Sequence, residues 1–346
     1  MKKLFYILVC LLLCAGIVGG AYVFAKTVNT NTPIAQPSEG IGNNNADSDT
    51  AEDEELNGLT VPANETSLIA KGLEMVPGAQ LYMSEDSDRP MIRFTCNVST
   101  HLKSLVEADS TKQLGMLLIP LKFFDKVNLE NYTYIDWITA FDASGEDSYY
   151  LMKFDAANIG EGSSDYYMRF RLTDIPYGGI NMKIACIGVL ITTNSDGTKS
   201  YQYASFPNGG TYRSNARSTA YVAAQVLNAY TLGESTYTES EMTKIKGFIN
   251  EAVDEANGLK SSTDDGSTFI LDVSPTGVKT LIIGESFKVN ASYTPSNVEL
   301  PIWYRSTDES VVCVDKSGTV KALKAGTAVI GVYVAGEAFG ITVKVS

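Results

Sequence analysis

Tyr132, Tyr134, Trp137, Tyr149, Tyr150, Tyr166 and Tyr167 crowd into one short stretch of the chain, with acids and arginines beside them. Exposed aromatic faces next to charged side chains are suited to stacking on sugar rings or on a partner's side chains. The candidate binding residues are therefore Tyr132, Tyr134, Trp137, Tyr149, Tyr167 and Arg169, and the expected ligand is a glycan or an extracellular protein. Strands also recruit aromatic residues for packing, so the competing reading places these same rings in a core.

Catalytic equipment is harder to find. His101 is the only histidine, so a Ser-His-Asp or Cys-His arrangement would have to be built around it. Neither a G-x-S-x-G elbow nor a phosphate-cradling glycine loop accompanies it. One histidine and scattered cysteines do not suggest a zinc site. The expectation is a protein without catalytic residues, metal or cofactor. Paired carboxylates supply the alternative, because a glycosidase needs only two acids at a suitable separation, and Asp136, Asp142, Glu146, Asp147 and Asp155 fall close together. A polysaccharide-active enzyme is thus the second reading, and a structural envelope or virion component is the third.

Charge narrows the partners. The chain carries a formal net charge of −13 over 346 residues, which repels nucleic acid and anionic lipid headgroups. No run of basic residues suited to gripping phosphate interrupts it, so no nucleic-acid partner is expected. Of the cysteines, Cys10 and Cys14 lie in the N-terminal apolar segment, leaving Cys96, Cys186 and Cys313 without C-x-x-C spacing. These read as small buried hydrophobes, with a Cys96 to Cys186 bridge as the open alternative.

Lys2 and Lys3 precede an uncharged apolar stretch from Leu4 to Ala25, the order of an export signal. Residues 1–25 are either a signal peptide cleaved after Ala25 or a retained membrane anchor with the lysines inside. Either places the remainder outside the cytoplasm, with the membrane touched only through an uncleaved N-terminus. Residues 26–58 are polar and end in the acidic run Asp47 to Glu55, which reads as a disordered linker.

Positioning elements follow from periodicity. Residues 59–260 read as a β-rich domain, because apolar and polar residues alternate at period two in segments such as Tyr166–Leu172, with Met91–Asn97, Leu114–Leu121, Tyr149–Phe154, Ile184–Thr193 and Lys199–Ala204 as its further strands. The Asp196-Gly197 pair between the last two marks a hairpin turn. Two amphipathic helices are predicted at 215–231 and 239–257. Ala220, Ala223, Ala224 and Leu227 form the stripe of the first, and a Thr238 to Glu241 capping box opens the second. The economical arrangement is an antiparallel, sandwich-like β domain with this helical hairpin packed against its sheet. The run Arg217 to Ala224 is similar to a helix in uncharacterised domains of surface proteins from anaerobic Gram-positive bacteria, a resemblance that implies no activity.

Residues 267–346 show short alternating strands separated by turn residues, as in a β-sandwich. Gly284-Glu285, Thr294-Pro295-Ser296-Asn297, Trp303, the run Val314-Asp315-Lys316-Ser317-Gly318-Thr319-Val320 and Ala325-Gly326-Thr327-Ala328 follow one another in order. In that order they resemble the group 2 bacterial Ig-like domain. Trp303 is expected at the sandwich centre, Gly318 in a tight hairpin and Gly326 at the start of the next strand. The resemblance implies secreted or surface proteins, adhesins among them, and supplies no catalytic residues. The fold class is accordingly mainly β: a sandwich-like middle domain with a helical hairpin, then an Ig-like sandwich. The function expected from it is extracellular, non-enzymatic binding or adhesion.

Overall fold

The computed structural model describes residues 68–346, except for segments 84–88, 127–135, 145–148, 156–157, 163–164, 174, 176–178 and 257–269. The export segment, the acidic linker, Tyr132, Tyr134, Glu146 and Asp147 lie outside the described residues. The chain divides into two compact units, one holding Met91–Ser218 with the chain before Met83, the other holding Thr219–Ser346 with Met83–Pro90.

The first unit is built on one nine-stranded sheet. Its strands are β1 (Ile69–Met75), β2 (Gln80–Tyr82), β3 (Met91–Val98), β4 (Lys112–Pro120), β5 (Tyr150–Phe154), β6 (Gly160–Glu161), β7 (Tyr166–Leu172), β8 (Ile184–Thr193) and β9 (Lys199–Ser205). The order across the sheet is β5-β4-β8-β9-β1-β3-β7-β6, with β2 paired to β3. All neighbours are antiparallel except β1 and β9.

Strand β8 sets the architecture. Its first eight residues are all buried, so this part of the sheet has cover on both faces, unlike the half-buried strands of an open antiparallel sheet. On one side the sheet curls over itself. Tyr150 of β5 meets Phe170 of β7 edge-on at 5.8 Å, and Cys96 of β3 packs its sulfur against Gly188 of β8, where an added Cβ would fall 2.4 Å from Sγ. Helix α1 (Thr100–Ala108) follows β3 and sets Lys103 over the Tyr166 ring, while α2 (Lys122–Lys126), α3 (Trp137–Ser144) and α4 (Tyr212–Asn215) bring an aromatic layer onto the other side, around Tyr203.

The helices α5 (Thr219–Thr231) and α6 (Glu239–Ala256) belong to the second unit. The sequence reading placed them against the preceding sheet. Their apolar stripes show that cover is needed but carry no information about which surface supplies it. The observed anchor is polar. Asn228 is fully buried and its Nδ2 donates to the carbonyls of Pro301 at 3.1 Å and Tyr333 at 3.3 Å. Its Oδ1 accepts from Gly336 N at 3.1 Å. Thr231 Oγ1 adds a bond to Gly336 O at 3.2 Å. The capping box that opens α6 is formed, with Thr238 N donating to Glu241 Oε2 at 2.7 Å and Glu241 N to Thr238 Oγ1 at 3.3 Å.

The rest of this unit is a sandwich of short strands: β10 (Ile270–Ser274), β11 (Val278–Leu281), β12 (Ser286–Lys288), β13 (Asn290–Thr294), β14 (Trp303–Ser306), β15 (Val312–Val314), β16 (Thr319–Ala322), β17 (Gly326–Val334) and β18 (Glu337–Val345). Sheets β11-β18-β17-β14 and β12-β16-β15 enclose Val289, Val312, Val320, Ile330, Val332, Ile341 and Val343, with β10 paired to β13. Gly318 has φ +83° in the β15 to β16 hairpin and also admits the ring of Tyr304, which would sit 2.9 Å from an added Cβ.

Two outcomes are expected. Asn228→Ala leaves buried carbonyls and an amide without partners, at about 3 kcal/mol, so the urea midpoint read by Trp303 fluorescence in a Trp137→Phe background falls. Burial pushes the Cys96 thiol up to about 12 and raises Cys186 well above its ordinary value, whereas Cys313 is partly exposed. Iodoacetamide at neutral pH therefore modifies Cys313 in the native protein, while Cys96 and Cys186 react only after denaturation, as peptide mass mapping would show.

Candidate functional site

The aromatic residues singled out in the sequence separate into two places. Trp137 is 0% exposed. Its ring meets Tyr203 edge-on at 4.8 Å and Tyr212 at 5.8 Å, while Phe124 stacks on Tyr212 at 4.2 Å. Phe141 joins Phe124 at 5.7 Å and Tyr149 at 6.2 Å, and Tyr149 is itself buried. These rings form the aromatic layer over β9, so Trp137 and Tyr149 are corrected from binding residues to core residues. The reason is that Trp137 opens a helix whose apolar face turns onto the sheet, a feature that period-two reasoning does not detect.

Two of the candidate carboxylates are committed to the same layer. Asp136 caps α3, taking Thr139 N at 3.1 Å and Thr139 Oγ1 at 2.7 Å, and its Oδ1 also accepts from Tyr203 Oη at 2.8 Å. Tyr203 Oη in turn accepts from Ile138 N at 3.0 Å. Burial, reinforced by the neighbouring Asp136 charge, raises the Tyr203 phenol above its ordinary range, so it stays a donor. Asp142 accepts from Tyr149 Oη at 2.9 Å. Asp155 lies elsewhere, on a shallow cavity of about 320 Å³ that it lines with Lys112, Lys153 and Lys199.

Tyr167 and Arg169 stand on a different surface, the open face of β2, β3 and β7. Antiparallel pairing sets Arg93 opposite Arg171, Thr95 opposite Arg169 and Asn97 opposite Tyr167, while Gln80 lies across from Arg93 on the other side. Inward neighbours Ile92, Phe94, Cys96, Met168 and Phe170 are buried, which fixes the alternate residues on the outer face. Arg93 donates to Gln80 Oε1 through Nε at 3.2 Å and Nη2 at 2.5 Å. The guanidinium carbons of Arg171 and Arg93 lie 4.8 Å and 5.8 Å from the Tyr82 ring centre.

Arg169 is held most tightly, at 3.8 Å over the Tyr167 ring. That ring lies across Gly160 of β6, where a Cβ would fall 2.1 Å from it, so only glycine leaves the ring room. Arg169 Nε is buried without a hydrogen bond. Burial lowers the Arg169 pKa, and the nearby charge of Arg171 acts in the same direction. Among the described residues neither Arg169 nor Arg171 forms an ion pair. The face is therefore a compact cationic patch with tyrosine platforms and the amide and hydroxyl groups of Gln80, Thr95 and Asn97 around it. Chemically it can take a carboxylate in bidentate fashion and hydrogen-bond hydroxyls.

Sequence reasoning found Tyr167 and Arg169 here but missed Tyr82, Arg93 and Arg171. The alternation in Met91–Val98 and Tyr166–Leu172 puts 93, 95 and 97 on one face, and 167, 169 and 171 likewise. Only the register between the two strands joins them.

The family described as bacterial Ig-like domain (group 2) matches residues 270–345. That match supports an Ig-like domain at the C-terminal end of the chain. Within the Ig-like domain one expectation changes: Trp303 is half-buried beneath Arg305, whose guanidinium lies 5.4 Å from the ring, whereas Tyr304 and Ile302 pack on the core. Strand alternation allows only one of the adjacent rings inward, and Gly318 makes the space for Tyr304. Gly326 does open β17. A stretch of 59 residues is also 44% identical to part of a 3-O-alpha-D-galactosyl-alpha-L-arabinofuranosidase from Bifidobacterium longum subsp. longum, covering 17% of this chain. The chain spans 5% of that enzyme's length.

Trp137→Ala is expected to cost about 3–5 kcal/mol by loss of a buried ring, whereas Tyr167→Ala on the open face costs about 1 kcal/mol or less. Urea unfolding followed by circular dichroism compares them. A smaller cost for Trp137→Ala than for Tyr167→Ala would contradict these placements.

Proposed function

We propose that this chain is an extracellular or cell-surface binding protein, in which the sheet of the first unit performs recognition and the Ig-like domain serves as spacer or second contact. The carrying observation is the cationic, tyrosine-bearing face of β2, β3 and β7, a surface whose charges find no ion-pair partner among the described residues for Arg169 and Arg171. Support for the location comes from the Ig-like domain, since domains of this group occur in surface and extracellular proteins. The apolar segment behind Lys2 and Lys3 agrees with that location.

The second reading, a polysaccharide-active enzyme, draws on the short likeness to the arabinofuranosidase. Against it, Asp136 and Asp142 are engaged by Thr139, Tyr203 and Tyr149, and a hydrolytic pair needs one acid held as a proton donor and another aimed at the reacting carbon or its water.

Residues 58–346, offered to immobilised glycans and extracellular matrix proteins, are expected to bind at least one class and to lose that binding in the double variant Arg169→Gln, Arg171→Gln. Release of sugar from cell-wall or plant polysaccharides, with no retention on any panel, would replace the binding reading with the enzymatic one.

A further inference from the structure

The binding reading leaves the ligand unnamed, and the register of β3 and β7 supplies a chemical class. Like charges placed directly opposite on neighbouring strands are destabilising, yet Arg93 faces Arg171, and Arg169 follows two residues along the same face. Packing does not require this, because all three side chains point away from the buried row of Phe94, Cys96, Met168 and Phe170. The chain also holds a large excess of acids, with 40 Asp and Glu against 27 Lys and Arg. Even so, among the described residues none forms an ion pair with Arg169 or Arg171. We propose that Arg93, Arg169 and Arg171, on the tyrosine platforms of Tyr82 and Tyr167, form a binding site for a carboxylate-bearing sugar residue. This assignment rests on the binding function proposed above.

Three features select that class. Guanidinium groups meet carboxylates through paired N–H bonds, and stacking on Tyr167 at 3.8 Å holds Arg169 in place without an ion pair among the described residues. Thr95 and Asn97 stand opposite Arg169 and Tyr167, which sets hydroxyl and amide partners beside the cations, as a polyhydroxylated ring requires. Asn97 and Arg171 of this face are exposed, which suits one sugar within a larger glycan more than a small free metabolite. A nucleic acid would present a dense row of phosphates to a protein of net charge −13, whereas one acidic sugar brings a single charge to the patch.

The full chain is titrated calorimetrically at low ionic strength with 3′-sialyllactose, lactose, oligogalacturonate, methyl-esterified oligogalacturonate and poly-L-glutamate. At least one acidic sugar binds, and its neutral counterpart binds roughly tenfold or more weakly. Sialyllactose and oligogalacturonate tell a terminal acidic sugar from a uronate polymer, and binding of either supports the assignment. Arg171→Gln weakens binding by roughly tenfold, and Arg171→Lys, which keeps charge but loses the planar fork, falls between. Arg169→Gln gives a second test should one variant unfold, as circular dichroism would report. The assignment is overturned if neutral and acidic sugars bind alike, if poly-L-glutamate binds as well as the sugars, or if folded Arg171→Gln and Arg169→Gln retain full affinity. A chain that binds a neutral glycan or a matrix protein but no acidic sugar loses this assignment and keeps the broader binding function. Absence of binding to all five probes removes this assignment, and the broader function falls with it only if the immobilised glycans and matrix proteins also retain nothing.

Discussion

The run Ile184 to Ile191 carries no charged side chain and no exposed residue, so it cannot lie at the surface of any stable fold. Both faces of the strand must be covered, and the rest of the first unit supplies the two covers. The curled sheet provides one through β3, β5 and β7. The helices α2, α3 and α4 provide the other, with Trp137, Phe124 and Tyr212 gathered around Tyr203, the cross-strand neighbour of Val189. The outer face of the sheet is consequently half dressed. Where β3 and β7 continue beyond the aromatic layer, their outward residues are polar and partly exposed. The candidate site lies where the sheet's cover runs out.

Cations on that bare surface do not repel one another into disorder, because each is given an aromatic partner. A ring's negative face attracts a guanidinium, and Tyr82 and Tyr167 each accept at least one. Gly160 is part of this device: its missing side chain lets the Tyr167 ring lie flat across the edge strand, with Arg169 stacked over it. A tyrosine so engaged is a platform for a cation rather than a free stacking surface for a sugar. The aromatic hint in the sequence therefore marks the strand of the cationic face for a different physical reason.

Much of the strand inventory was legible. Tyr166–Leu172 and Ile184–Thr193 alternate or run apolar over their whole lengths and occupy those same bounds in the structure, because side-chain direction in a strand is set locally. Three things were not legible, and each depends on partners distant in the chain. Burial of Trp137 depends on Tyr203 and Tyr212. The meeting of Arg93 with Arg171 depends on the β3 to β7 register. The surface chosen by α5 depends on Asn228 finding the carbonyls of Pro301 and Tyr333. Trp303 adds a local case. A tryptophan next to a tyrosine in a strand gives no sign of which ring turns inward, and the choice of Tyr304 is decided by the space over Gly318.

Within the Ig-like domain the carboxylates of Asp308 and Asp315 are turned back on the chain. Asp308 accepts from Ser310 N at 3.0 Å and Ser310 Oγ at 2.6 Å, and these bonds hold its carboxyl below the usual range. Asp315 accepts from Ser317 Oγ at 2.7 Å and Thr319 N at 2.8 Å. Acids used in this way stabilise turns between short strands, and a ligand could recruit them only by breaking those turns. On the cationic face of the first unit, Arg93 is likewise engaged by Gln80, whereas Arg169 and Arg171 rest on tyrosine rings and form no ion pair among the described residues. The unit whose family can be named thus spends its polar chemistry on its own loops. The unit that carries the cationic face leaves Arg169 and Arg171 without an ion pair among the described residues, and that physical difference is the ground for proposing recognition there.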